Sequence, residues 1–261
     1  WSPKPETRAP GERPERGGRS ARDAKADSAD FLWGRHAVMA ALENPARRGA
    51  GRLFATPDRA ADVEALAGGR TVEVLDGPAL ARLLPAGAVH QGLGFKAKPL
   101  DGVSLEEMAK AGAGVIVMLD QITDPQNVGA IFRSALAFGA RGVVMQERHS
   151  PVLAGALAKA AAGATERLPF ARVTNLSRAL ETLAEMGWRA VGLDGAADET
   201  LEQALDDRPT VLVMGSEGDG IRRLVAEHCD ALARIAMPGG FESLNVSNAA
   251  AIALYEATRA R

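Results

Sequence analysis

Three stretches of this chain gather side chains of the kinds that bind and activate small molecules. They are Leu119-Asp-Gln-Ile-Thr-Asp-Pro-Gln-Asn-Val-Gly-Ala-Ile-Phe-Arg-Ser134, Val213-Met-Gly-Ser-Glu-Gly-Asp-Gly220 and Ile235-Ala-Met-Pro-Gly-Gly-Phe-Glu-Ser-Leu-Asn-Val-Ser-Asn248. Each runs from a strand-like apolar run through a loop into a helix-like segment. The two glycine-bearing loops can wrap a small molecule with backbone amides, because glycine lets main chain approach closely. Between them the three stretches offer a carboxylate (Glu217), two amides (Asn127, Asn245), a hydroxyl (Ser243) and a guanidinium (Arg133). Each also has a plainer reading. Asn127, Ser243 and Asn245 are good helix caps, Glu217 suits a helix N-terminus, and Arg133 suits a solvated helix position.

Several chemistries are excluded. No Gly-x-Gly-x-x-Gly follows a strand and no Gly-x-x-x-x-Gly-Lys-Ser/Thr occurs, so neither a dinucleotide fingerprint nor a P-loop is present. The four histidines and the single cysteine, Cys229, make no spaced ligand set, and no metal is expected. One cysteine excludes an internal disulfide and fits a reducing, cytoplasmic compartment. There is no apolar run of about 18 residues that would span a membrane. The N-terminus is polar, without an apolar signal core, and opens on Trp1 rather than Met.

The chain of 261 residues is 46% apolar, enough for a core and for two domains. Its net charge is −2, distributed as +1 over residues 1–30, +3 over 31–98 and −6 over 99–261. A nucleic-acid partner would therefore lean on the 31–98 segment and on local arginines.

The positioning elements follow from periodicity. Residues 1–29 carry arginine, proline, glycine and serine and cannot build a core, so a disordered tail is expected. Order begins at Phe31, and helical spacing at Ala37, Val38, Ala41 and Leu42 stops at Asn44-Pro45. Strand Arg52–Thr56, helix Asp58–Ala67, strand Thr71–Leu75, helix Gly77–Leu84 and the segment Val89–Lys98 complete a small α/β unit, residues 30–98. Residues 99–112 read as a linker with a short helix at Leu105–Ala109. Residues 113–261 then alternate strands (Val115–Leu119, Gly142–Met145, Trp188–Leu193, Val211–Met214, Leu232–Ile235) with helices. The helices are Val128–Phe138, Leu153–Ala162, Leu176–Met186, Ile221–Glu227 and Asn245–Arg259. Continuous apolar strands between helices predict a parallel sheet covered on both faces. The last helix is apolar over most of its circumference, which predicts burial all round.

The patterns Asn127-x-Gly129-x-x-x-Arg133, Gly215-x-Glu217-Gly218 and Ser243-Leu-Asn-Val-Ser247 closely resemble the three signature motifs of the SpoU (TrmH) family of RNA 2′-O-ribose methyltransferases. The run from Trp33-Gly-Arg-His36 to Val89-His-Gln-Gly92 is similar to the L30e-like substrate-binding domain often fused ahead of that catalytic domain. The resemblance implies an α/β fold with a C-terminal trefoil knot and a homodimer built on the last helix. It also implies S-adenosylmethionine (AdoMet) as cofactor, lined by Gly215, Ile235 and Leu244. The same resemblance implies that Arg133 activates the ribose hydroxyl, with Asn127, Glu217, Ser243 and Asn245 orienting it, the ribose or the cofactor. An arginine gives up its proton reluctantly, so base and alkoxide stabiliser both stay open as its role. Arg172-Val-Thr-Asn-Leu-Ser-Arg178 and Glu227-His-Cys-Asp230 resemble the subgroup that methylates a guanosine of 23S rRNA. A tRNA ribose methyltransferase or a resistance-type rRNA methylase is the near alternative. A non-catalytic, RNA-binding ribosome assembly factor is the alternative of another class, and it predicts loss of Arg133, Glu217 or Asn245. Glu242 departs from the small or hydroxyl residues of many relatives.

Overall fold

The structure, a computed structural model, describes residues 30–239 and 244–259. The expectations for residues 1–29, Glu242 and Ser243 fall outside the described residues. Two sheets organise the rest. The first has four strands in the order β1-β4-β2-β3, from β1 (Phe31–Trp33), β2 (Arg52–Ala55), β3 (Val72–Val74) and β4 (Leu93–Lys96). Strand β4 pairs antiparallel with β1 and β2, while β2 and β3 pair in parallel. The second sheet has six strands in the order β10-β8-β9-β5-β6-β7. These are β5 (Val115–Leu119), β6 (Gly142–Gln146), β7 (Phe170–Val173), β8 (Arg189–Leu193), β9 (Thr210–Met214) and β10 (Ala231–Ala233). All of its pairings are parallel, as the sequence predicts.

The central strands explain the order. Every residue of β5 (Val-Ile-Val-Met-Leu) and of β9 (Thr-Val-Leu-Val-Met) is buried, which suits strands covered on both faces. One face packs against the apolar stripes of α5 (Pro125–Ala137) and α10 (Val246–Arg259). The other packs against α4 (Leu105–Ala109) and α7 (Leu176–Glu185). The chain leaves β5 towards β6 and β7, then returns to fill the opposite side with β8, β9 and β10. The carboxyl ends of β5 and β9 therefore flank the point where strand order reverses, the usual crevice for a ligand in such sheets.

Several sequence expectations are corrected. Phe31–Trp33, to which the sequence assigned no element, is a strand ahead of helix α1 (Arg35–Glu43), because it pairs antiparallel with β4. Phe170–Val173 forms the edge strand β7, which a four-residue run containing Arg172 did not announce. Helix α5 starts at Pro125 rather than Val128, with Asp124 as its cap. Helix α10 is not buried all round: Val246, Ala250, Ala253, Leu254 and Ala257 are buried, but Ile252 is 41% and Tyr255 53% exposed.

Two further helices connect the sheets to the site. Helix α6 (Gly155–Ala161) lies against α5, and α9 (Arg223–Ala226) follows the β9 loop. Helices α2 (Ala60–Glu64), α3 (Gly77–Arg82) and α8 (Leu201–Ala204) complete the set among the described residues.

Candidate active site

The site is assembled at the β5 and β9 ends. Asp124 caps α5 by accepting from the backbone N–H groups of Gln126 and Asn127, and Pro125 occupies the first turn. That cap releases Asn127 from the capping role its type suggests. Its side chain instead spans to the β9 loop, where Asn127 Nδ2 donates to Glu217 Oε1 at 3.2 Å. Asn245, just before α10, joins both: its Nδ2 donates to Glu217 Oε1 at 2.8 Å and to Asn127 Oδ1 at 3.0 Å. Asn245 also caps its helix, since its Oδ1 accepts from the Ser247 N–H at 2.9 Å and from Ser247 Oγ at 2.5 Å. The capping and site readings of Asn245 therefore hold together.

Glu217 closes the arrangement. Its Oε1 also accepts from the Val246 N–H at 3.2 Å, the first turn of α10. A carboxylate there is favoured by the helix dipole, worth about 0.3–1 kcal/mol. The helix end it serves is α10, not the α9 that follows it in sequence. Glu217 thus carries three donors on one oxygen, drawn from two segments far apart in sequence.

The loop that holds Glu217 is tight. Ser216 and Gly220 exchange backbone hydrogen bonds at 3.0 and 3.1 Å, and Gly218 and Gly220 take φ values of 95° and 66°. A Cβ on Gly215 would lie 2.1 Å from the Gly220 carbonyl carbon, so the loop folds back against its own start. The Ser216 hydroxyl is buried there without a partner among the described residues.

Two residues without an assigned role in the sequence hold this loop to β5. Asp120, fully buried at the end of β5, accepts the Arg222 N–H at 2.8 Å and its Nε at 2.7 Å, with Arg222 Nη2 at 2.6 Å. The Asp120 N–H in turn donates to the Met214 carbonyl at 2.8 Å. An aspartate ending a buried strand was the available signal. Beside this pair a cleft of about 330 Å³ runs along the β6 and β7 ends, lined by Gln146, Thr174, Asn175 and Arg223 among others. Its lining includes Arg222 but none of Asn127, Glu217 and Asn245.

The remaining candidates stand outside this hydrogen-bonded group. Arg133 is exposed on α5, with no hydrogen-bond or ion-pair partner among the described residues, and is not drawn into the Asn127–Glu217–Asn245 network. Ile235 is half-buried after β10, and Leu244 is 36% exposed ahead of α10. Among the described residues no group of three or more His, Cys, Asp or Glu is placed to hold a metal, and no helix is long and apolar enough to cross a membrane.

The chain carrying this sheet and these loops matches a known class. The profile of the SpoU rRNA methylase family matches residues 114–255, and that of the RNA 2′-O ribose methyltransferase substrate-binding domain matches residues 31–102. The chain belongs to the SpoU rRNA methylase family, as the three motifs implied. Relatives agree. An uncharacterized tRNA/rRNA methyltransferase of Mycolicibacterium smegmatis is 39% identical over 249 residues, covering 91% of this chain and 78% of that one. One from Synechocystis is 40% identical over 247 residues, covering 90% of this chain but 64% of its own length. The SpoU methyltransferase AviRb of Streptomyces viridochromogenes, solved with AdoMet, superposes with a TM-score of 0.73 at 25% identity, covering 92% of this chain and 98% of AviRb.

Proposed function

We propose that this chain transfers the methyl group of AdoMet to a ribose 2′-hydroxyl of RNA, at a guanosine of 23S rRNA. The observation that carries the reading is the convergence of Asn127, Glu217 and Asn245 at the sheet's reversal point. The cofactor fits the residues present: Gly215 leaves no room for a side chain, so its loop offers backbone groups, and Ile235 and Leu244 supply apolar surface. When bound, AdoMet supplies an electrophilic methyl on a sulfonium.

The chain's own residues then deal with the nucleophile, since an alcohol is poor until its proton leaves. In this proposal Arg133 holds the developing 2′-oxyanion and a neighbouring phosphate in its planar fork, and the proton passes to solvent. The Asn127–Glu217–Asn245 group fixes the start of α5 against the Glu217 loop, and positioning of this kind supplies a large share of rate enhancement. Ser243 belongs to the same proposed group.

The proposal extends to architecture. Residues 30–98 form an L30e-like unit that recruits RNA, 99–112 link it, and 113–261 form the methyltransferase domain with a C-terminal trefoil knot. Basic charge on 31–98 supports RNA recruitment. Exposed Ile252 and Tyr255 on α10, with Phe138 edge-on to Tyr255 at 6.1 Å, support a homodimer. A cytoplasmic location goes with the RNA substrate. The assembly-factor reading is disfavoured because Arg133, Glu217 and Asn245 are all present.

The test is methylation mapping of total RNA from a deletion strain at nucleotide resolution. Loss of one ribose methyl from a 23S guanosine is expected. Loss from tRNA instead would move the substrate, and an unchanged map would overturn the enzymatic reading.

A further inference from the structure

We infer that Glu166 is a positioning residue for the reaction: paired with Arg47, it locks the N-terminal unit in one orientation against the helix pair that carries Arg133. This rests on the proposal that residues 31–98 hold the RNA.

Glu166 ends the short turn Ala164–Glu166 after α6, and its side chain is 1% exposed. Every side-chain group on its carboxylate comes from the N-terminal unit. Arg47 Nε donates to Oε2 at 2.7 Å and Arg47 Nη2 to Oε1 at 2.8 Å, a two-pronged pair. Asn44 Nδ2 adds a bond to Oε2 at 2.9 Å and one to the Glu166 carbonyl at 3.2 Å. The remaining Arg47 nitrogen, Nη1, donates to the Lys98 carbonyl at 2.7 Å, so the same guanidinium pins the start of the linker.

The surroundings explain why a charge pair matters here. The apolar residues that the α6 region contributes around it are small. Ala154 and Ala158 of the α6 region pack with Val38, Leu42 and Phe95, and Ala156 packs near Phe31 and Trp33. Gly163 passes so close to α1 that a Cβ would lie 2.7 Å from Ala40 Cβ. Alanine surfaces attract without fixing a rotation. A buried two-pronged ion pair tolerates one geometry, because losing either partner strands a desolvated charge.

The locked unit is continuous with the site. Helix α6 meets α5 at Gly129, where a Cβ would lie 2.5 Å from the Leu157 carbonyl oxygen and 2.6 Å from Ala160 Cβ. Arg133 stands one turn further along α5. The path from α1 through Glu166 and α6 to Arg133 is thus close packing, with only the turn at residues 162–166 between Glu166 and α6. RNA gripped by the first sheet would reach Arg133 at one fixed separation, and misplacement by about 1 Å costs about 100-fold in rate.

The experiment uses the full chain with a spin label at Val89→Cys and another at Glu185→Cys, a thio-uridine rRNA fragment and AdoMet. Glu166→Ala should broaden the distance distribution between labels and slow single-turnover methylation of saturating RNA about 10- to 100-fold. AdoMet affinity and RNA crosslinking to residues 31–98 should stay as in the unsubstituted chain. The double substitution Arg47→Met with Glu166→Leu should restore a narrow distribution and most of the rate, since packed apolar residues can replace a buried pair. If Glu166→Ala fails to fold, Arg47→Lys keeps the charge but loses the fork and should broaden the distances. Unchanged distances, or an unchanged rate on bound RNA, in Glu166→Ala, or in Arg47→Lys where Glu166→Ala does not fold, would overturn the lock. Absence of crosslinks to residues 31–98 in the unsubstituted chain would instead overturn RNA recruitment by that unit, while the distance measurement still reports on the lock.

Discussion

Asn245 Nδ2 donates to Glu217 Oε1 at 2.8 Å, tying the start of the last helix to the loop after β9. The bond does two jobs. It joins two of the three motif segments, and it places a carboxylate at the N-terminus of a 14-residue helix. Asn127 reaches the same oxygen from the third segment. One acceptor atom therefore organises all three motifs, and the first predictions concern it and its neighbours.

Glu217→Ala should lower methylation about 100-fold while costing under about 1 kcal/mol of stability. The residue is exposed, so water can satisfy the donors it abandons. The positions of Asn127 and Asn245, however, lose their common anchor. Parallel thermal unfolding and single-turnover assays check this. A large drop in melting temperature with a proportionate activity loss would assign Glu217 to folding alone.

Arg133→Ala should leave AdoMet affinity nearly unchanged and reduce turnover at least about 100-fold. Its exposure and lack of partners mean that removal leaves no buried group stranded. Arg133→Lys should rescue little, because an ammonium cannot reproduce the planar fork. Cofactor titration beside methylation of an rRNA fragment gives the answer, and near-normal turnover in Arg133→Ala would end its catalytic assignment.

Gly215→Ala should weaken AdoMet binding sharply, because the new Cβ would sit 2.1 Å from backbone at Gly220. Backbone cannot swing aside as a side chain can, so the loop must open, at about 1–3 kcal/mol. Gly77→Ala is the control, with nothing within 4 Å of its added carbon. Calorimetric titration should show a loss in the first variant and none in the second. Equal affinities would remove this loop from the cofactor site.

The exposed Ile252 and Tyr255 should be covered by a second copy of the chain. Sedimentation at micromolar concentration should give about twice the chain mass, and Ile252→Glu with Tyr255→Glu should give monomers. A monomeric unsubstituted chain would refute the dimer.

Cys229 should resist alkylation in the native state. Burial, helped by the charges of Asp230 and Asp120, pushes its thiol from 9.0 up to about 12. The folded chain therefore keeps the proton at pH values where the unfolded chain releases it. The stability this thiol contributes is complete below pH 9.0 and declines as pH rises towards about 12. Iodoacetamide at pH 8 should modify it slowly before denaturation and quickly after. Rapid native modification would contradict the half-buried, neutral thiol.

Sequence by itself determined the parallel sheet, the order of its central strands in the chain and the family. Runs such as Val115–Leu119 and Val211–Met214 are apolar throughout and bounded by loop residues, so their nature is local information. The motif residues were equally legible, because their types and spacing lie within single segments. Tertiary structure decided what joins what. Asn127 looked like a cap until Asp124 took that role and freed its side chain for Glu217. The edge strand Phe170–Val173 exists because β6 offers it a partner, which no four-residue pattern encodes. Asp120 with Arg222, and Arg47 with Glu166, were invisible for the same reason: each pair spans about a hundred residues of chain. A buried charge finds its partner by proximity in space, and only the folded arrangement of sheets and helices sets that proximity.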